Sequence, residues 1–208
     1  MNLKKKKSGI FGKRARLENH SFAVAGTYSG VGVTLFCVNF ASFLADRCRN
    51  GVAVAELGNN GDFEKLAAQL EDVAGFEWTE YGFRLGKISF FQTGCKDVIL
   101  YSAKGHFDFT VFDIGTNYVK QEVPFMQCDQ KIVLGSHLEW RMCEYENFLE
   151  YAEQFEGMRN WEYIDVAGSK TGKVQFIYGR KIKLKKLPRI EEIFVVTEEL
   201  SRIYQSFL

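Results

Sequence analysis

The chain is short of proline, with two residues in 208, and of histidine, with His20, His106 and His137. It has neither an internal repeat nor a low-complexity linker, which excludes a fibrous or beaded architecture and leaves one core as the expectation at this length. None of the histidines has a carboxylate or cysteine beside it at ligand spacing, so a zinc-type site lacks donors. The five cysteines, Cys37, Cys48, Cys95, Cys128 and Cys143, form no CxxC pair and no disulfide framework, and read as reduced thiols. There is no GxSxG elbow, and chain order supports no Cys–His pair, which removes nucleophilic catalysis. No apolar run reaches bilayer length, and the basic start, Lys4 to Lys7 then Lys13, Arg14 and Arg16, lacks the apolar stretch of a signal peptide. A cytoplasmic protein is expected. Charge of one sign is also missing: 27 Lys and Arg against 26 Asp and Glu give a net charge of +1, too little to coat nucleic acid with the whole surface.

What is present is a globular composition, 46% hydrophobic and 25% charged. Residues 1–20 form a basic arm, either solvated or directed at an acidic membrane surface, with nucleic acid the less favoured target. Residues 21–208 read as one α/β domain. Phe22-Ala23-Val24-Ala25 is a buried strand, Gly26 to Thr34 a glycine-rich turn and Thr34 to Arg49 a helix. Val52-Ala53-Val54-Ala55 closes a compact parallel crossover unit. Asp62 is placed to cap a helix through Val73, and residues 76–92 read as a hairpin insert. Strands are expected at 107–115, 131–135, 161–166 and 174–178, and helices at 142–156 and about 189–207. Residues 97–104 match neither period. The alternation at Arg180-Lys181-Ile182-Lys183-Leu184-Lys185-Lys186 predicts an edge strand guarded by lysines. The whole is an alternating pattern of a mainly parallel sheet with helices on both faces.

Chemistry concentrates in Gly26-Thr27-Tyr28-Ser29-Gly30-Val31-Gly32-Val33-Thr34, between a strand and a helix. Glycines there let the backbone wrap a phosphate, with N–H groups and the helix dipole facing the anion. The Thr34 hydroxyl is then placed to ligate magnesium. Without a ligand, the same residues make a tight strand-to-helix turn. His137-Leu138-Glu139-Trp140 falls at the C-terminal edge of the sheet, where ligands of open α/β sheets bind. Trp140 there covers a base or a partner, or packs under its own helix. Gly168 to Lys173 is a lysine-rich turn without P-loop spacing.

The loop resembles the deviant Walker A loop, KGGxGKT[ST], of the ParA/MinD ATPases. Val52-Ala53-Val54-Ala55-Glu56 is similar to that family's second strand, and Phe107 to Gly115 to its Walker B strand, in matching order from about residue 21 to 166. The resemblance implies a three-layer P-loop NTPase-like fold. It also implies ATP or ADP bound by Gly26, Ser29, Gly30, Val31, Gly32, Val33, Thr34 and Leu35, and magnesium held by Thr34 and Asp113. Glu56 and Asp113 are the candidate catalytic carboxylates. The departures are specific: Tyr28 replaces the signature lysine, Val33 the main phosphate-binding lysine, Leu35 the second hydroxyl residue and Gly58 the second acid after strand two. One charge-assisted hydrogen bond is worth about 1.5–3 kcal/mol, so binding weakens but survives its loss. Losing a transition-state donor costs about 10²–10³ in rate, which hydrolysis does not survive. A degenerate scaffold or positioning factor follows, with a protein partner or as a homodimer, at the inner face of the membrane, in the manner of the TadZ/CpaE proteins of pilus assembly. The rivals are a slow Mg-dependent ATPase borrowing a cation such as Arg84 or Lys87, and a ligand-free interaction module whose loop is filled by Tyr28 or Val33.

Overall fold

A computed structural model describes residues 19–58, 60–92, 106–167, 174–177 and 180–208. Most of the basic arm, the ambiguous stretch 97–104, Cys95 and the lysine-rich turn 168–173 lie outside these residues.

The strands are β1 (His20–Gly26), β2 (Val52–Glu56), β3 (Phe76–Thr79), β4 (Gly82–Leu85), β5 (Ile88–Phe91), β6 (Phe109–Gly115), β7 (Gln130–Gly135), β8 (Glu162–Asp165), β9 (Val174–Ile177) and β10 (Arg180–Lys186). The helices are α1 (Val33–Ala45), α2 (Asp62–Leu70), α3 (Glu122–Gln127), α4 (Met142–Ala152) and α5 (Glu198–Gln205). One ten-stranded sheet runs in the order β3-β4-β5-β2-β6-β1-β7-β8-β10-β9. From β5 to β10 every neighbouring pair is parallel, and antiparallel pairing is confined to the two flanks. β1 is therefore central, and the loop after it opens at the C-terminal edge of the parallel strands.

The side-chain alternation of β1 divides the core. Phe22 and Val24 join the cluster under α1, α2 and α5, whereas Ala23 and Ala25 face the cluster under α3 and α4. Both faces of the sheet are thus covered, as an all-apolar central strand requires.

Four expectations are corrected. β10 is not an edge: it lies between β8 and β9, with Ile182 and Leu184 buried, and Lys185 pairs with Glu162 at 2.7 Å. Its alternation marks one polar face rather than an open edge. Helix α1 stops at Ala45, not Arg49, because the Asp108 carboxylate accepts the backbone N–H groups of Arg49 and Asn50 and turns the chain. Asp62 is the first residue of α2 rather than its cap; Gly61, at φ 64°, takes that place and the helix ends at Leu70. The C-terminal helix begins only at Glu198, capped by the Thr197 side chain, which accepts from the Leu200 N–H. Upstream of it, Asn39 in the middle of α1 donates to the carbonyls of Glu192, Ile193 and Val195, and holds that segment out of a helix.

Candidate functional site

The turn between β1 and α1 is built on space and backbone freedom. A Cβ on Gly26 would meet Val31 Cγ1 at 2.5 Å and Val33 Cγ2 at 2.7 Å, so only glycine fits there. Gly32 sits at φ 97° as the helix cap, a conformation that glycine adopts without cost. No side chain caps α1 and no acid occupies its first turn, so its leading N–H groups face the turn unopposed. Ser29 and Gly30 are exposed at the tip, and so is Leu35, at 37% exposure.

The neighbouring strands supply carboxylates. Asp113, buried in β6, accepts from the Thr34 hydroxyl at 2.7 Å and from the Gly115 N–H at 2.9 Å. Burial pushes its pKa up to about 6, against the pull of those two hydrogen bonds. Glu56, buried at the end of β2, accepts from the Asp62 N–H at 2.8 Å and so holds the start of α2. That places the Asp62 carboxylate 3.4 Å from the Thr34 hydroxyl, with Lys65 bonded to it at 2.9 Å. The structure thus gathers Thr34, Asp113, Glu56 and the loop, while Asp62 joins them unforeseen. The signal was its position six residues after Glu56, hidden by reading Asp62 as a cap.

The positions that the resemblance assigns to lysines look in different directions. Val33 is buried against Gly26 with Val31, so methyl groups line the inside of the turn. Tyr28 is half-buried against the core beside the loop, with the Arg141 guanidinium stacked 4.4 Å from its ring centroid. The proposed substitute cations are elsewhere. Arg84 pairs with Glu77 on the β3–β4 flank, and Lys87 reaches the Ala45 and Cys48 carbonyls at the far end of α1. Neither lies at the loop.

The segment after β7 is likewise part of this edge. His137 pairs with Asp165 at 2.6 Å, and the same carboxylate accepts the His137 and Ala167 N–H groups. Trp140 does not pack under its helix: it is 69% exposed. Beside the loop opens a cleft of ≈ 980 Å³, bounded by Val31, Gly32 and Leu35, the ends of β8 and β10, and α5; Lys186, Arg189 and Arg202 stand along it. A cleft of ≈ 1120 Å³ at the opposite end of the sheet, under Met158 and Trp161, touches none of these residues. Among the described residues, no cluster of three His, Cys, Asp or Glu side chains is arranged to hold a metal, and no helix is long and apolar enough to cross a membrane.

A central β1, a glycine turn onto α1 and β6 beside it make the fold one of P-loop type. Solved structures place the fold more narrowly, as the ParA/MinD type. A ParA family ATPase from Chlorobium tepidum matches with a TM-score of 0.57 and 13% identity over 84% of this chain and 86% of that one. A putative plasmid partition protein from Borrelia burgdorferi, bound to AMPPNP, matches with a TM-score of 0.58 and 11% identity over 91% and 96%. MinD from Aquifex aeolicus matches with a TM-score of 0.50 and 15% identity over 70% and 68%. No family model and no curated protein matches the sequence. At these identities the likeness is one of fold.

Proposed function

We propose that this chain is a nucleotide-responsive scaffold or positioning protein of ParA/MinD type, which holds ATP or ADP in the Gly26–Leu35 loop with little or no hydrolysis. The observation that carries this reading is the pairing of Thr34 with Asp113 at 2.7 Å beside an uncapped α1, in a loop with Tyr28 and Val33 at its lysine positions. The donor set suits magnesium: hydroxyl and carboxylate oxygens are the ligands that a hard divalent cation takes, and the Asp62 carboxylate adds a third at the same point. Thr34 and Asp113 would hold the ion, which supplies charge neutralisation for the phosphates. The buried Thr27 hydroxyl, without a hydrogen-bond partner among the described residues, supports a ligand or water at the loop's start.

On this reading residues 21–208 act as one cytoplasmic domain that engages a protein partner, as a homodimer or with a different chain, and the basic arm meets an acidic membrane surface. The likeness to TadZ/CpaE extends it to placing pilus or secretion machinery, and correct placement after deletion of the gene counts against that extension. Calorimetry of ATP and ADP with and without magnesium is the direct test of the loop. Binding lost in Gly32→Arg supports it; no binding at millimolar nucleotide contradicts it. The second reading, a ligand-free interaction module, draws on Val31 and Val33, whose methyl groups fill the inside of the turn.

A further inference from the structure

We propose that Arg141 supplies the positive charge for a phosphate held in the Gly26–Thr34 loop, with the Tyr28 ring as the platform that carries it there. The inference rests on reading the loop as a nucleotide site, and names the residue through which this chain recognises the phosphates.

The argument begins with charge. A phosphate in this turn faces backbone N–H groups and the helix dipole, but methyl groups at Val31 and Val33 where an ammonium would stand. Cations at this edge of the sheet are few in kind. Lys65 is committed to Asp62, and Lys186, Arg189 and Arg202 stand along the adjoining cleft. Arg141 is in contact with a loop side chain, its Cζ 4.4 Å from the Tyr28 centroid.

Its position follows from the fold. β7 lies beside β1, so the 3-10 turn Glu139–Arg141 that follows β7 arrives next to the loop that follows β1. Tyr28 packs against the apolar core cluster, which places its ring before any ligand arrives. Burial raises the Tyr28 pKa while Arg141 opposes the rise, so the ring stays a neutral phenol and meets the guanidinium through its π face. The guanidinium is planar and forked, which suits two phosphate oxygens at once. The partner it would leave is modest: Glu144, three residues along, at 2.9 Å, in a pair whose side chains are 41% and 25% exposed. Such surface pairs contribute little, and a polyphosphate offers a guanidinium more negative charge than one carboxylate.

The test is titration of the full chain with ATP and with adenosine, in magnesium, for wild type, Arg141→Ala, Arg141→Lys and Glu144→Gln. Loss of one charge-assisted contact predicts that Arg141→Ala weakens ATP about ten- to a hundred-fold and leaves adenosine and the melting temperature unchanged. Arg141→Lys keeps most of the affinity, and Glu144→Gln, which frees the guanidinium, tightens ATP and steepens its salt dependence. ATP affinity unchanged in Arg141→Ala, or lost equally for adenosine, overturns the inference while the nucleotide reading stands. Wild type that binds no ATP overturns both. If Arg141→Ala does not fold, Glu144→Gln decides, and unchanged ATP affinity there overturns the inference.

Discussion

Asn39 is fully buried in the middle of α1, and all of its hydrogen-bonding capacity on show is spent on the C-terminal segment. Its amide donates to three carbonyls, and its oxygen accepts from the Tyr204 hydroxyl at 2.8 Å. Asn39→Leu removes the donor to those carbonyls and strands the buried Tyr204 hydroxyl, and a loss of about 2–4 kcal/mol is expected, read as a lower urea midpoint at unchanged slope. Asp113 carries a pH signature. Its pKa is raised to about 6 in the fold against about 3.9 in an unfolded chain, so its contribution favours folding fully below about pH 4 and is lost as pH rises through about 6. Without magnesium, the stability of wild type relative to Asp113→Asn should therefore rise by on the order of 2–3 kcal/mol from neutral pH to about pH 4. A flat difference would mean that the carboxylate is not desolvated. Among the described cysteines, Cys143 is exposed, whereas burial raises Cys128 to about 12 and Cys37 well above its ordinary value. Alkylation of the native protein at mildly basic pH should mark Cys143 first, with Cys37 and Cys128 labelled only after unfolding, as peptide mapping would show.

At the scale of elements, the central strands were legible because their burial is written into continuous apolar runs. Phe22 to Ala25, Val52 to Ala55, Phe109 to Ile114 and Ile132 to Leu134 are all buried. Glycine-bounded aromatics likewise marked the β3–β4–β5 insert. What was not legible depends on partners distant in sequence. The late start of α5 follows from Asn39, some 150 residues upstream, and the inner place of β10 from the β9 hairpin that covers it. Carboxylates at the site were readable as strand ends, but the approach of Arg141 to Tyr28 exists only because β7 pairs with β1. The cap of α5 offers a local check. Thr197→Ala removes the acceptor for the Leu200 N–H and should cost about 1 kcal/mol, seen as a lower melting temperature; Thr197→Asp should retain the cap.

For the molecule as a whole, a ParA/MinD-type sheet brings one phosphate-type loop, three carboxylates and a stacked guanidinium to a single edge, with an open cleft alongside. On the proposed reading, that arrangement keeps the parts that hold a nucleotide and lacks the lysines that stabilise charge as the phosphoryl group departs. Binding and turnover therefore separate, and one measurement addresses both: the fate of radiolabelled ATP held by a stoichiometric amount of this protein in magnesium. The account predicts that the nucleotide stays bound to the wild-type protein and is recovered as ATP after many hours, with no release of phosphate. Steady release of phosphate that needs magnesium and disappears in Asp113→Ala would contradict it, and would make the protein an ATPase.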